Sequence, residues 1–276
     1  MNKEKNDKVK MLADKCQQMR RLIVKMIAEA GSGHPGGSLS CVEIMACLYF
    51  AVLNHRPHQP YWSQRDRFHL SKGHACPCWY AALSLSGYFE EKELWTLRKF
   101  GSLLQGHPDR RTPGVDVASG SLGQGLSVSI GMSLAAKIDQ EERKVYCLLG
   151  DGELEEGNVW EAAMAAAHFK LDNLCAIVDY NRFQIDGSVE KIMNIEPLGD
   201  KWKAFGWKVR EVDGHNIEEL LEAFGSFKTT KGKPTVIIAH TIKGKGVSFM
   251  ENVVDFHGRA PTKAETEKAL KELGED

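Results

Sequence analysis

What the chain lacks narrows the field first. No apolar run approaches the roughly 18 residues of a membrane-crossing helix; the stretch from Val42 to Leu53 is short and carries Glu43. The opening Met1-Asn-Lys-Glu-Lys-Asn-Asp-Lys8 is charged and leads into no apolar segment, which argues against a secretory leader. Excess charge of either sign is also missing. Against 37 Asp and Glu stand 36 Lys and Arg, too even a balance for the basic field that draws nucleic acid or an anionic membrane surface. A soluble, cytoplasmic protein is expected, with small-molecule or protein partners, no nucleic acid and no membrane. Nor is there a disulfide framework. The 7 cysteines are an odd number scattered through 276 residues, most of them in apolar stretches like those of Cys147 and Cys175, so reduced, buried thiols are expected. An α/β domain of this length buries roughly three quarters of its unfolded surface. With no repeat, low-complexity tract or linker in view, a single domain over 1–276 is expected, its core at about 9–260.

Residues 9–30 repeat apolar positions at helical spacing (Leu12, Cys16, Met19, Ile23, Met26, Ile27), and Gly31-Ser32-Gly33 should end that helix and open a glycine-rich loop. Ser40 followed by Glu43 resembles a capping box for a second helix reaching about Leu53, and 54–66 reads as connector. From Leu122 to about Ile138 small residues alternate with larger apolar ones, as in a helix packed tightly on a sheet. Val145–Leu149 and Leu174–Val178 are continuous apolar runs, the pattern of buried parallel strands. An Ala-rich helix over about 159–169 lies between them and makes a βαβ unit. Further strands are predicted at Lys208–Val212 and Thr235–His240, around a helix at 216–228.

In an open parallel sheet, ligands gather beyond the carboxyl ends of the strands. Gly150-Asp151-Gly152 and Asp179-Tyr180-Asn181 end the two runs, so a carboxylate and an amide oxygen should converge on one hard cation such as Mg²⁺. Gly150 and Gly152 should let backbone N–H groups approach a phosphate.

Those two tripeptides together resemble the thiamine diphosphate fingerprint, and further segments resemble the transketolase family. They are Gly31-Ser-Gly-His-Pro-Gly-Gly37, Leu70-Ser-Lys-Gly-His-Ala75, Gln105-Gly-His-Pro108, Ser119-Gly-Ser-Leu-Gly-Gln-Gly125 and Phe256-His257-Gly258, in family order across nearly the whole chain. The resemblance implies the thiamine diphosphate-binding fold: α/β, a mostly parallel central sheet with helices on both faces. It implies that Asp151, Asn181 and the Phe183 carbonyl bind Mg²⁺ or another divalent cation such as Ca²⁺ or Mn²⁺. Gly152, His74 and His257, with Gly150, would then lie near the diphosphate, Ile185 against the thiazolium, and Gly120 and Leu122 on the aminopyrimidine side. His34, His107 and His257 would face the sugar, where a pKa near working pH suits proton transfer. Glu156, and more weakly Glu161, match positions at a dimer interface that links active sites. Many relatives carry two asparagines where this chain has Tyr180-Asn181, but the expected ligand is the second of the pair.

The family's activating glutamate lies on a pyrimidine-binding domain for which no segment is seen here, nor is one seen for the family's C-terminal domain. The resemblance therefore implies the N-terminal subunit of a split transketolase. Such a subunit moves a two-carbon ketol unit from a ketose phosphate to an aldose phosphate, as in the pentose phosphate pathway. It would act with a second copy of itself and with a C-terminal transketolase chain, as a heterotetramer. Another ketose, branched or sulfonated, and a non-catalytic cofactor-binding module are the alternatives.

Other features have plainer readings. His55 and His58 sit in a polar connector and His168 at a helix end; His69, His215 and His240 stand closer to structural roles. His74-Ala-Cys76-Pro-Cys78 lacks Cys-x₂-Cys spacing and a second pair, so it reads as helix rather than a metal knot. Arg110 and Arg111 read as solvated, and Lys243-Gly-Lys-Gly246 as a mobile glycine loop, not a P-loop.

Overall fold

The structure is a computed structural model that describes residues 3–275, so positions 1, 2 and 276 of the expected domain lie outside the described residues. Helix α1 (Lys3–Ala30) is followed by α2 (Pro35–Leu39) and α3 (Val42–Cys47), which widens into a π-helical turn over Leu48–Val52. Next come β1 (Arg67–Leu70), α4 (Cys76–Leu85), α5 (Gln124–Ile138), β2 (Val145–Gly150), α6 (Gly157–His168) and β3 (Leu174–Tyr180). A small excursion follows, with β4 (Phe183–Gln184), β5 (Gly187–Ser188), α7 (Val189–Ile192) and α8 (Leu198–Ala204). The chain continues with β6 (Lys208–Asp213), α9 (Ile217–Thr229), β7 (Thr235–His240) and α10 (Lys263–Glu272).

Strands β1-β2-β3-β7-β6 form, in that order, one sheet in which every pairing is parallel. Successive side chains on a strand point to opposite faces, and both faces here are covered. Tyr146, Leu148, Cys175, Ile177 and Ile237 join the core under α1, α3, α4 and α9. Val145, Cys147, Leu149, Ala176, Val178, Val236 and Ile238 join a second core under α5, α6 and α8. Burial on both faces is why the central strands read as unbroken apolar runs. The cysteines are free and buried.

Four sequence expectations need correction. The glycine-rich segment after α1 is not all loop, because Pro35 starts α2, where its fixed φ suits a first helical position. Ser40 does not cap the next helix: its hydroxyl donates to Gly37 O and Asp179 Oδ2, while α3 starts from Cys41 without a side-chain cap. Strand β1 was not foreseen. Lys243 does not belong to a free loop, being fully buried at 1 % exposure.

Candidate functional site

The β2–β3 register pairs Gly150 with Asp179, so Asp151 and Asn181 leave neighbouring strands at nearly the same level. Asp151 Oδ1 accepts the Gly152 N–H at 2.8 Å and Oδ2 accepts the Arg182 N–H. Asn181 Oδ1 accepts the Phe183 N–H at 3.1 Å, which turns the backbone back over the strand end. Burial first, and Asp179 second, push the Asp151 carboxyl up to about 7. A buried carboxylate of that kind, beside an amide oxygen and the Phe183 carbonyl, is a donor set suited to a hard divalent cation. Each carboxylate oxygen has lone-pair capacity left for it.

Two buried carboxylates brace this corner. Asp179 accepts from Lys72, Ser40, Thr241 and Asn181, and Lys72 also donates to Gly37 O at 2.8 Å. Burial alone would raise its pKa, but Lys72 and these donors hold it below the ordinary value. Glu153 accepts from Ser71, from Gly123 N at 2.8 Å and from Gly150 N at 3.0 Å. Helix α2 with its C-cap Ser40, and the loops before α4 and before α5, are thereby tied to the ends of β2 and β3. The Gly150 and Gly152 N–H groups are accordingly engaged by Glu153 and Asp151, not presented to a phosphate as expected, because the buried carboxylates need donors.

Above the strand ends three imidazoles meet. Ring centroids of His34, His74 and His257 lie 5.2, 5.2 and 5.6 Å apart. Close packing of α2 makes this possible: a Cβ at Gly36 would stand 3.0 Å from Phe256 O, and one at Gly37 3.3 Å from His74 Nε2. Burial foremost, then neighbouring cations, pushes His34 down to about 4 and His257 to about 3, and holds His74 well below its ordinary value. These are neutral imidazoles rather than groups poised near pH 7. Lys243 Nζ donates to His257 Nδ1 at 2.8 Å and to Phe183 O at 3.2 Å, and burial first pushes its pKa down to about 8. His34 Nδ1 and Ser119 Oγ are buried without a hydrogen-bond partner, as groups that meet a ligand would be.

The other expected residues are not part of this ring cluster. His107 is exposed and its ring lies against Gly120, where a Cβ would be 3.3 Å from its Cδ2; it is not one of the three clustered rings. Glu156 is exposed beside Gly123, and Glu161 is exposed on α6. Leu122 lies at the surface, and Ile185, at the tip between β4 and β5, is 63 % exposed. Lys72, Lys243, Asp179 and Glu153 were not singled out from the sequence, although Lys72, Asp179 and Lys243 lie inside quoted segments. His55 and His215 are structural: His55 bonds Tyr88 and Tyr49 O, and His215 bonds Glu43 and the Ile242 N–H. His69 is buried and pushed down to about 4 by burial. His240 makes a surface pair with Glu211, and Arg111 one with Asp109.

A doubly covered parallel sheet with oxygen donors at its central strand ends and an imidazole cluster above them defines a cofactor-binding α/β domain. Residues 12–276 match the family described as transketolase, thiamine diphosphate binding domain, and the chain belongs to that family. It is 43% identical over 267 residues to an apulose-4-phosphate transketolase subunit of Phocaeicola vulgatus, covering 97% of this chain and 95% of that one. It is 48% identical over 256 residues to the 6-deoxy-6-sulfo-D-fructose transketolase subunit SqwG of a Clostridium species, covering 92% and 93%. The crystal structure of transketolase from Campylobacter jejuni superposes with a TM-score of 0.93 at 36% identity, over 100% of this chain and 44% of that one.

Proposed function

We propose that this chain is the N-terminal subunit of a two-subunit transketolase, an enzyme that moves a two-carbon ketol unit from a ketose phosphate to an aldose phosphate. The observation that carries the reading is that Asp151 and Asn181 follow the paired ends of β2 and β3, while Lys243 joins the Phe183 carbonyl to His257 of the three-imidazole cluster. Similarity to two relatives named as subunits, each matched over nearly its whole length, supports the division between chains. In this reading residues 1–276 are one domain.

Asp151, Asn181 and Phe183 O hold Mg²⁺, or Ca²⁺ or Mn²⁺ in its place. The cation and the Lys243 ammonium would offset the charge of the diphosphate, and the neutral His74 and His257 would hydrogen-bond it. Bound thiamine diphosphate supplies the nucleophilic carbon that takes up the ketol unit. Ile185 covers its thiazolium, while Gly120 and Leu122 line the aminopyrimidine side. His34, His107 and His257 hydrogen-bond the sugar; as neutral imidazoles, His34 and His257 can each donate one hydrogen bond to, or accept one from, its hydroxyl groups. Glu156 sits where it meets a second copy of the chain.

The partner chain brings the pyrimidine-binding domain and its glutamate, and two copies of each chain form a heterotetramer in the cytoplasm. The ketose is one of the pentose phosphate pathway or, as the names of the two relatives favour, a branched or sulfonated sugar. A panel of such donors distinguishes these readings. To test the site, Asp151→Ala and Asn181→Ala should each weaken Mg²⁺-dependent cofactor binding in the assembled enzyme at least tenfold, roughly the loss of one charge-assisted contact, with the fold intact by circular dichroism. Wild-type affinity in either folded variant rules the site out.

A further inference from the structure

The excursion that carries Phe183 and Ile185 leaves β3 at Asn181 and rejoins the packed body at α8. Val189 and Ile195 of the excursion are buried in the second core, and a cavity of about 410 Å³ lined by Tyr180, Phe183, Val189 and Glu196, among others, lies against it. Its return is fastened at Ile195, whose carbonyl accepts from Lys201 Nζ at 2.7 Å, and at Glu196. The buried Tyr180, last residue of β3, donates its hydroxyl to Glu196 Oε1 at 2.6 Å, across 16 positions of sequence. The other carboxylate oxygen accepts the Leu198 N–H at 2.6 Å at the start of α8. Inside the excursion, Val189 N donates to Arg182 O at 2.9 Å, so its outgoing and returning limbs move together. A hydrogen bond to a carboxylate is stronger than one between neutral groups, and closing the base of a loop removes much of its conformational freedom.

We infer that Tyr180 is a positioning residue: through Glu196 it closes the base of the 182–196 excursion and sets where the Phe183 carbonyl and the Ile185 side chain stand relative to Asp151. The effect on cofactor rests on the function proposed above; the clamp itself does not. The Tyr180 hydroxyl bonds Glu196, whereas Phe183 O is held by Lys243.

Tyr180→Phe keeps the ring and removes only the hydroxyl. In the cofactor-free chain, amide exchange in 182–196 should speed up about tenfold, the scale of one charge-assisted hydrogen bond, with the rest unchanged. In the enzyme assembled with its partner, affinity for thiamine diphosphate with Mg²⁺ should fall roughly three- to tenfold by the same reasoning, while kcat at saturating cofactor stays at the wild-type value. Adding Glu196→Gln to Tyr180→Phe should produce no further loss of affinity, as expected of two groups acting through one bond. Unchanged exchange in 182–196 overturns the clamp, and faster exchange across the whole chain overturns its local character. Faster local exchange with unaltered cofactor affinity overturns the positioning role. If the wild-type assembly binds no cofactor, the proposed function fails instead, and the exchange arm still decides the clamp.

Discussion

His34, His74 and His257 sit close enough that a proton on one disfavours a proton on the others, and burial and the nearby Lys243 act in the same direction. A histidine whose folded pKa is depressed takes up protons more readily in the unfolded chain, so stability rises with pH between the folded value and about 6.5. For His34 that window runs from about 4 upward, and its contribution to stability is complete above the ordinary value. In ¹H–¹⁵N spectra of the isolated chain the His34 ring should therefore titrate near pH 4, not near 6.5. A midpoint above 6 contradicts the packing described for the cluster. The sequence shows these histidines in glycine- and proline-bearing loops, but the depression is not legible there, because it arises first from burial and then from positive groups that the fold brings near from distant segments, as Lys243 is brought to His34.

At the scale of elements, what the sequence reveals and what it hides divide along physical lines. Strands β2, β3 and β7 are legible because they are buried on both faces, and α1 because its apolar stripe repeats at helical spacing. The four-residue edge strand β1 is hidden, since Arg67 and His69 interrupt the apolar pattern and its place comes only from pairing with β2. The Ser40–Glu43 pair misleads for a related reason: both side chains are claimed by long-range partners, Ser40 by Asp179 and Glu43 by Arg20 and His215. Arg20 Nη2 lies 2.7 and 2.9 Å from the two Glu43 oxygens, joining α1 to α3 in a buried pair. A genuine capping box does occur, at Thr262 and Glu265 before α10.

The Arg20–Glu43 pair yields a stability prediction. Burial alone would raise the Glu43 pKa, but His215 and Arg20 together hold it below its ordinary value. For a carboxylate with a depressed folded pKa, the stabilisation is present above the unfolded value and fades as pH falls through the folded one. Glu43→Gln leaves the Arg20 charge buried without its partner and should cost about 3–5 kcal/mol at pH 7 in urea unfolding. The gap between variant and wild type should narrow as the pH drops below about 4.5, the ordinary value for glutamate. A gap that is the same at pH 7 and at pH 3 contradicts this account of the pair.

For the whole molecule, the outer faces of α5 and α6 expose Ile138, Met164 and Phe169, at 78, 55 and 49 %. Leu122, Ile185 and Glu156 lie at the surface among the proposed cofactor contacts. Contiguous apolar surface usually marks an interface, and an isologous contact about a two-fold axis is the commonest way to bury it between copies. Similarity to relatives named as subunits points to a partner chain. In the proposed function the groups described here would hold diphosphate and metal and face a sugar, and activation of the aminopyrimidine would fall to the partner. The most direct test of that division is ketol transfer from a ketose phosphate, measured with thiamine diphosphate and Mg²⁺, as the purified partner chain is titrated into this one. The account predicts no turnover by this chain alone, activity that appears on mixing, and an endpoint at one partner per chain. Robust turnover by the highly purified chain without a partner would contradict it.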